Sequence, residues 1–211
     1  MTVFDENAHT NDYLRSPMSA YHEHVARWVH ELICTGTYRS PFIVGISGPQ
    51  GGGKSTLATA VQAFLTGKGW RTFSFSVDDL YLTHSQQIAL AKHHPKNRFM
   101  EFRGYPGTHD TKLGKAILKA LRSKTEPNVI VPVYEKGAFD GRGDRAPEDK
   151  WREVPLPLDV VIFEGWMLGF EPLRTVRKLD TLGLVDLKVP NKYLADYRHW
   201  NNQLDAFVHL V

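Results

Sequence analysis

The stretch PFIVGISGPQGGGKST, residues 41–56, joins a short apolar run to a helix start through a glycine-rich loop. Its middle, Gly48 to Ser55, fits the pattern GxxxxGK[ST] and lies directly after a predicted buried strand and directly before a predicted helix. Glycines let backbone N–H groups converge on phosphate oxygens, and the N-terminus of the following helix adds a favourable dipole. A glycine-rich turn that merely begins a helix is the alternative, but such a turn has no use for Gly-Lys-Ser at this register. The stretch therefore predicts a nucleotide-phosphate site.

Two residues of this loop have individual predicted roles, and the others are predicted to contact the nucleotide. Lys54 would reach the β- and γ-phosphates of ATP as a point charge, and the Ser55 hydroxyl would complete the coordination shell of Mg²⁺. The predicted nucleotide contacts are Gly48, Pro49, Gln50, Gly51, Gly52, Gly53, Lys54, Ser55 and Thr56.

Strand and helix patterns alternate on both sides of the loop. A helix is predicted over residues 18–36, and Leu57, Val61 and Leu65 mark a second helix that ends at Gly67. The five predicted strands are PFIVGIS, RTFSFSV, NVIVPVY, LDVVIFEG and AFVHLV. This alternation predicts an α/β fold of the P-loop type, with a doubly wound, mostly parallel five-stranded sheet and helices on both faces. We expect one domain over residues 1–211, with a polar lead (1–17) before the helix and a nucleotide and substrate core over 42–211.

Composition narrows the partners. The net charge of +3 is spread along the chain rather than massed in one block. This distribution predicts no nucleic-acid partner, and it is compatible with a small anionic molecule as ligand. No apolar run approaches the roughly 18 residues that a membrane span needs, so no membrane association is expected. The single cysteine, Cys34, and an N-terminus without an apolar core predict a reducing compartment, the cytoplasm with passive access to the nucleus. The oligomeric state stays open.

Acidic residues follow two of the predicted strands. In SVDDLYL, Asp78 and Asp79 close a strand at the sheet edge where an acceptor hydroxyl would approach the γ-phosphate, and one of them could take its proton. The alternative, stronger for Asp79, is that they cap the next turn. In VVIFEGW, Glu164 could hold Mg²⁺ or be an ordinary strand-end carboxylate. A GTPase would show an NKxD signature and a mechanical ATPase would end this strand in Asp-Glu; neither is present.

Five motifs in order, GISGPQGGGKST, SVDDLYLT, EFRGYPGTHD, YEKGAFDGRGDRA and VIFEGWMLGF, together resemble the D-glycerate 3-kinase type of P-loop kinase over roughly residues 40–210. The chain is more distantly similar to uridine kinase, phosphoribulokinase and bacterial pantothenate kinase. The resemblance implies transfer of the ATP γ-phosphoryl group to a hydroxyl of a small acidic metabolite, with D-glycerate as the best specific acceptor. It also implies that Asp78, three residues before Tyr81, is the catalytic base, beside Lys54 and Glu164.

The resemblance further implies that EFRGYPGTHD and YEKGAFDGRGDR form the acceptor side of the cleft. The candidate acceptor residues are Asp79, Tyr81, Arg103, His109, Tyr134, Lys136, Arg142 and Arg145. The basic members could neutralise a carboxylate, and arginine could do so with two parallel hydrogen bonds, but each could instead be a solvated surface charge. Arg142 to Asp144 also spell Arg-Gly-Asp, and an adhesive role for that tripeptide would require export.

The sequence departs from the family at its C-terminal end. In the family, the strand resembling DAFVHLV is followed by a helix whose arginine closes over the phosphates, whereas this sequence ends at Val211. We therefore expect the lid segment to be absent. The alternative function is a catalytically impaired ATP-binding protein with a regulatory role.

Overall fold

Helices and strands alternate along residues 19–36 and 38–211, the part of the chain that the computed structural model describes. The predicted polar lead, residues 1–17, lies outside this part. In chain order the elements are α1 (Ala20–Thr35), β1 (Phe42–Ser47), α2 (Lys54–Gly67), β2 (Thr72–Ser76), α3 (His84–His93), α4 (Arg98–Glu101), α5 (Thr111–Leu121), β3 (Asn128–Val131), β4 (Tyr134–Glu135), β5 (Asp144–Arg145), β6 (Arg152–Pro155), β7 (Val160–Glu164), α6 (Arg177–Thr181), α7 (Lys188–Asn201) and β8 (Ala206–His209). Three 3₁₀ turns add Val77–Leu80, Glu148–Lys150 and Val185–Leu187.

Four parallel strands form the central sheet, in the order β2-β7-β1-β8. Every residue of β1 and β7 is buried, as expected for inner parallel strands that are covered on both faces. Their carboxyl ends therefore meet at one edge of the sheet, where ligands of open α/β sheets bind. The predicted α/β class with a mostly parallel sheet is confirmed.

Alternate side chains of the inner strands enter two separate cores. Helices α1 and α2 cover one face, and helices α5 and α7 with strands β3 and β6 cover the other. The first core takes Phe42, Val44, Ile46, Val160 and Ile162 from β1 and β7. The second takes Ile43, Val161 and Phe163 from the same strands. The sheet is thus held rigidly from both sides, which fixes the loops at its carboxyl edge.

The predicted number of strands in the sheet was wrong. The run NVIVPVY contributes β3, which pairs antiparallel with β6 in a separate two-stranded sheet rather than joining the central one. Val129 and Val131 are buried while Ile130 is exposed. This one-sided burial is typical of an antiparallel strand and does not suit a strand between two helical layers. A second small pair, β4 with β5, closes the segment that follows β3.

Capping residues set several helix ends. The Ser19 hydroxyl accepts from the His22 N–H at the start of α1, within the predicted helix over 18–36, and Thr83 forms a capping box with Gln86 at the start of α3. Asn191 lies inside α7, which begins at Lys188. The Asn191 side chain accepts from the Leu173 N–H at 2.7 Å. No helix among the described residues has the length and apolar character of a membrane span.

Candidate active site

The phosphate loop connects β1 to α2 at the carboxyl edge of the central sheet. Gly51 and Gly53 have φ values of +74° and +79°, in the left-handed region that favours glycine, and a Cβ on either would meet no atom within 4 Å. The space in front of the loop is therefore open. Gly48 is needed for a different reason, since a Cβ there would lie 2.7 Å from the Cβ of Leu210. These features leave the loop backbone accessible to a ligand.

Lys54 is the first residue of α2, and its ammonium group folds back to donate to the Pro49 carbonyl oxygen at 2.8 Å. It lies in a cleft of about 270 Å³ above the loop. This phosphate cleft is lined by Gln50, Gly51, Lys54, Ser55, Ser76, Asp78, Lys136, Glu164, Gly165 and Trp166. Thr56 lies one residue further along α2 and is exposed.

Ser55 and Glu164 meet at the floor of the phosphate cleft. The Ser55 hydroxyl donates to a Glu164 carboxylate oxygen at 2.9 Å, and Glu164 is only 6% exposed at the end of β7. Burial raises the pKa of Glu164, although hydrogen bonds from the hydroxyls of Ser55 and Ser76 oppose the shift. A hydroxyl and a carboxylate side by side are the oxygen ligands that Mg²⁺ uses together with substrate phosphates.

Asp78 projects from the 3₁₀ turn after β2 toward the same cleft. The Ser76 hydroxyl accepts from the Asp78 N–H at 3.1 Å and so fixes the turn. The Lys136 ammonium donates to the Asp78 carboxylate at 2.6 Å. Tyr81 is buried nearby, and its burial, followed by the negative charge of Asp78, raises the pKa of the phenol. The Tyr81 hydroxyl therefore stays protonated beside the carboxylate.

Asp79, the second aspartate of the pair, is turned into the protein. Its carboxylate accepts from the Ser76 N–H at 3.1 Å and from the Arg152 guanidinium at 2.7 Å. Burial raises the pKa of Asp79, while the charge of Arg152 opposes the shift. Asp79 does not line either cleft of the site. The structure thus favours the alternative of a cap for Asp79 over its predicted contact with the substrate.

A second cleft, of about 320 Å³, adjoins the phosphate cleft. This acceptor cleft is lined by Gln50, Asp78, Tyr81, Phe102, Arg103, Gly104, Lys136 and Gly141. Gln50, Asp78 and Lys136 line both clefts. The two spaces therefore meet at the Asp78 carboxylate, with the phosphate loop on one side and the segments around residues 102–104 and 136–141 on the other.

Arg103 holds the wall of the acceptor cleft together. Its guanidinium donates to the carbonyl oxygens of Gly141 and Arg142 at 2.6 and 2.5 Å, and more weakly to that of Lys136 at 3.4 Å. It also lies 5.6 Å from the ring centroid of Tyr134. Arg103 does line the acceptor cleft, as predicted, but much of its hydrogen-bonding capacity goes to the main chain of the glycine-rich loop, residues 136–143.

Comparison with known proteins finds close relatives. No family model matches the sequence. The chain is 43% identical over 180 residues to the uncharacterized kinase mug58 of Schizosaccharomyces pombe, covering 81% of this chain and 64% of that one. It is 44% identical over 173 residues to the chloroplastic D-glycerate 3-kinase of Arabidopsis thaliana, covering 80% of this chain and 37% of that one. The solved D-glycerate 3-kinase from Cryptococcus neoformans matches with a TM-score of 0.80 at 32% identity, covering 91% of this chain and 73% of that one. The chain belongs to the D-glycerate 3-kinase family.

Membership confirms the resemblance seen in the five sequence motifs. The chain spans less than two thirds of the length of the two curated relatives, 64% of one and 37% of the other.

Two further residues of the D-glycerate 3-kinase family motifs pack against Tyr81, on the side away from the clefts. His109 is 4% exposed, stacks on Tyr81 with ring centroids 4.2 Å apart, and has its Nδ1 atom 2.5 Å from the Tyr197 hydroxyl. Burial lowers the pKa of His109 to about 3. Tyr134 is nearly buried and packs against Tyr81 at 5.2 Å. Neither lines a cleft, so the predicted contacts of His109 and Tyr134 with substrate are replaced by contacts that position Tyr81.

The two remaining arginines of the family motifs also lie outside the acceptor cleft. Arg145 donates to the Tyr81 carbonyl oxygen at 3.0 Å and pairs with Asp110 at 3.4 Å, so its predicted role in binding a carboxylate is taken by internal partners. Arg142 lines a separate cavity beside α3, with its guanidinium 4.2 Å from the ring centroid of Phe102. Among the predicted basic residues, only Arg103 and Lys136 line the acceptor cleft.

Sequence reasoning missed the side chains of Ser76 and Trp166 in the phosphate cleft and that of Phe102 in the acceptor cleft. The Ser76 hydroxyl, at the end of β2, accepts from the Asp78 N–H. The Trp166 indole N–H donates to the Gly104 carbonyl oxygen at 2.8 Å and so connects the end of β7 to the acceptor segment. Both line the phosphate cleft. The position of Trp166 directly after Glu164-Gly165, within a motif already singled out, was the available signal.

The Arg-Gly-Asp tripeptide is not displayed as an adhesive loop. Gly143 is buried, and the Asp144 carboxylate accepts from the His84 N–H at 2.8 Å, where it caps the start of α3. The tripeptide is therefore part of the fold of the acceptor segment.

Proposed function

We propose that this protein is a kinase that uses Mg²⁺·ATP to phosphorylate a hydroxyl of a small acidic metabolite, with D-glycerate as acceptor and 3-phosphoglycerate as product. The observation that carries this proposal is the junction of two clefts at Asp78. A phosphoryl donor in one cleft and a hydroxyl in the other would meet beside a carboxylate, which is the arrangement that direct phosphoryl transfer needs. The kinase names of the relatives agree with it, and they do not favour the alternative of an impaired ATP-binding protein.

The hydrogen-bond donors of the phosphate cleft suit the phosphate groups of ATP. Backbone N–H groups of Gly51 to Lys54 would bind the phosphate oxygens, helped by the N-terminus of α2. Lys54 would leave the Pro49 carbonyl oxygen for the β- and γ-phosphates, because a charged acceptor makes the stronger hydrogen bond. These contacts would hold the γ-phosphate at the boundary with the acceptor cleft.

Ser55 and Glu164 fit a magnesium ion. Mg²⁺ is usually held by one or two carboxylates and a hydroxyl together with substrate phosphates, so a site does not require a cluster of protein carboxylates. The described part of the chain has no group of three or more His, Cys, Asp and Glu that could hold a metal alone. The ion would arrive with ATP and would neutralise charge on the phosphates.

The acceptor side requires a base and a cation. Asp78 would orient the acceptor hydroxyl and take its proton as the bond to phosphorus forms. Tyr81 would hold that carboxylate in place from the buried side. The acceptor carboxylate would be neutralised at the wall formed by Arg103, whose Nε hydrogen and remaining Nη2 hydrogen can bond a further acceptor.

We also propose a reducing compartment such as the cytoplasm, supported by the exposed, unbridged Cys34.

A panel of acceptors tests the function. ADP release would be measured with purified protein, saturating ATP and Mg²⁺, and D-glycerate, other hydroxy acids, nucleosides or pantothenate as acceptor. We expect turnover with D-glycerate that is lost on chelation of Mg²⁺ and in Lys54→Ala and Asp78→Asn. Absence of turnover with every acceptor would overturn the kinase proposal, and turnover with another acceptor alone would overturn only the choice of D-glycerate.

A further inference from the structure

Lys136 is the one side chain of the glycine-rich loop that lies in both clefts. Its ammonium group is 2.6 Å from an oxygen of Asp78, and 60% of its side chain is exposed. The main chain at this residue is anchored, because the Lys136 carbonyl oxygen accepts from Arg103. A fixed backbone with an exposed, four-carbon side chain lets the charge move by several ångströms without moving the loop.

We propose that Lys136 is a second catalytic lysine, which leaves Asp78 for the γ-phosphate when ATP binds. This inference rests on the proposed function and adds to it a residue and a step. In the structure both lysines of the phosphate cleft are held by protein oxygens, Lys54 by the Pro49 carbonyl and Lys136 by the Asp78 carboxylate. A bound triphosphate offers both of them acceptors of higher charge, so both contacts are replaced together.

Two consequences of the move favour reaction. Departure of the ammonium frees an oxygen of Asp78 at the junction of the clefts, where the acceptor hydroxyl must hydrogen-bond before it loses its proton. Arrival of the ammonium at the γ-phosphate adds a positive charge where negative charge is redistributed in the transition state. One side chain thus couples occupancy of the donor cleft to readiness of the base.

The transfer step balances with these groups alone. The acceptor oxygen forms a bond to the γ-phosphorus, and the bond from that phosphorus to the β,γ-bridging oxygen breaks, its electron pair leaving with ADP. The acceptor proton passes to the Asp78 oxygen that Lys136 has vacated, and Lys136 stays protonated throughout. After release of the products, Asp78 returns its proton to solvent and the ion pair forms again.

The other group that the Lys136 ammonium could contact after leaving Asp78 is the carboxylate of the acceptor, since the side chain also lines the acceptor cleft. The phosphate is favoured because Lys136 shares the phosphate cleft with Lys54, Ser55 and Glu164, whereas the acceptor cleft already has Arg103 for a carboxylate. The two recipients differ in what a neutral substitution would weaken, so a binding experiment separates them.

Calorimetry with ADP and with β,γ-imido-ATP tests the proposal, since only the second carries a γ-phosphate. For Lys136→Met we expect the affinity for the ATP analogue to fall about 10-fold to 100-fold relative to that for ADP, the effect of one charge-assisted hydrogen bond. Lys136→Arg should retain most of the preference. The matched control is Lys150→Met, which removes a similarly exposed lysine (61%) from an ion pair with Glu135 and should leave the ratio unchanged.

Kinetics give the second readout. Lys136→Met should lower kcat about 100-fold to 1,000-fold with little change in the acceptor KM, as loss of a transition-state donor does. An unchanged ratio of analogue to ADP affinity, with or without a raised acceptor KM, would overturn the proposal. The affinity ratio needs no turnover, so it remains decisive even if the acceptor proposed above is wrong, and thermal melting of each variant excludes loss of fold as the cause.

Discussion

The buried histidine beneath Tyr81 predicts how stability depends on pH. Burial holds the pKa of His109 at about 3, against its ordinary 6.5. Below about pH 6.5 the unfolded chain therefore binds a proton at this residue that the folded chain refuses until about pH 3, and folding stability falls as pH falls through that window. Between about pH 7.5 and about pH 5 the loss from this one group is about 2 kcal/mol.

Urea denaturation of the wild type and His109→Gln at the two pH values measures this contribution. The variant loses the contact with Tyr197 at every pH, but its stability should fall about 2 kcal/mol less than that of the wild type on acidification, because glutamine has no proton to gain. His199→Gln, at an exposed position of α7, is the control and should keep the wild-type dependence. If His109→Gln also keeps it, the buried imidazole is not the group that senses pH.

Three further predictions concern the site. Asp78→Asn should abolish turnover with little change in melting temperature. Asp79→Asn should keep turnover and lose about 1–3 kcal/mol of stability in denaturation, because the partly buried ion pair with Arg152 is lost; the reverse pattern would contradict the assignment. Arg103→Met should raise the acceptor KM at least about 10-fold and speed proteolysis of the loop. The Kd for ADP should be unchanged, since Arg103 does not line the phosphate cleft. Gly143→Ala should cost more than about 1 kcal/mol in denaturation, because φ is +81° and the added Cβ would lie 2.6 Å from the Tyr134 ring; a neutral effect would show that the loop adapts.

The nucleotide side of the site was predictable because its signals are local. A strand, a glycine-rich loop and a helix start follow one another within residues 42–54, and the backbone geometry of the loop depends on the glycines themselves. The position of Glu164 could also be predicted, because the ends of parallel strands share one edge of the sheet. In these cases the sequence neighbours of a residue determine where its side chain points.

The acceptor side was less predictable because its charges pair over long distances in sequence. Arg103 and Arg145 were both predicted to bind a carboxylate, but Arg145 is occupied by the carbonyl oxygen of Tyr81 and by Asp110. Whether an arginine is available to a ligand depends on which carbonyl and carboxylate oxygens, distant in sequence, lie next to its guanidinium in the fold. The same holds for β3, which was predicted in the central sheet, because one-sided burial of Val129 and Val131 depends on what packs above them.

The clamp at Arg103 recognises main-chain oxygens, and every residue has one. Side chains between Lys136 and Arg142 can therefore be exchanged without removing the contacts that hold the loop, provided that the replacements tolerate the positive φ of Phe139, Asp140 and Gly141. The position of the acceptor wall therefore depends on the main chain of the loop more than on its side chains. Ala138, Phe139 and Asp140 do not line the acceptor cleft, so the loop can vary at Ala138 while the side chains that face the cleft stay unchanged.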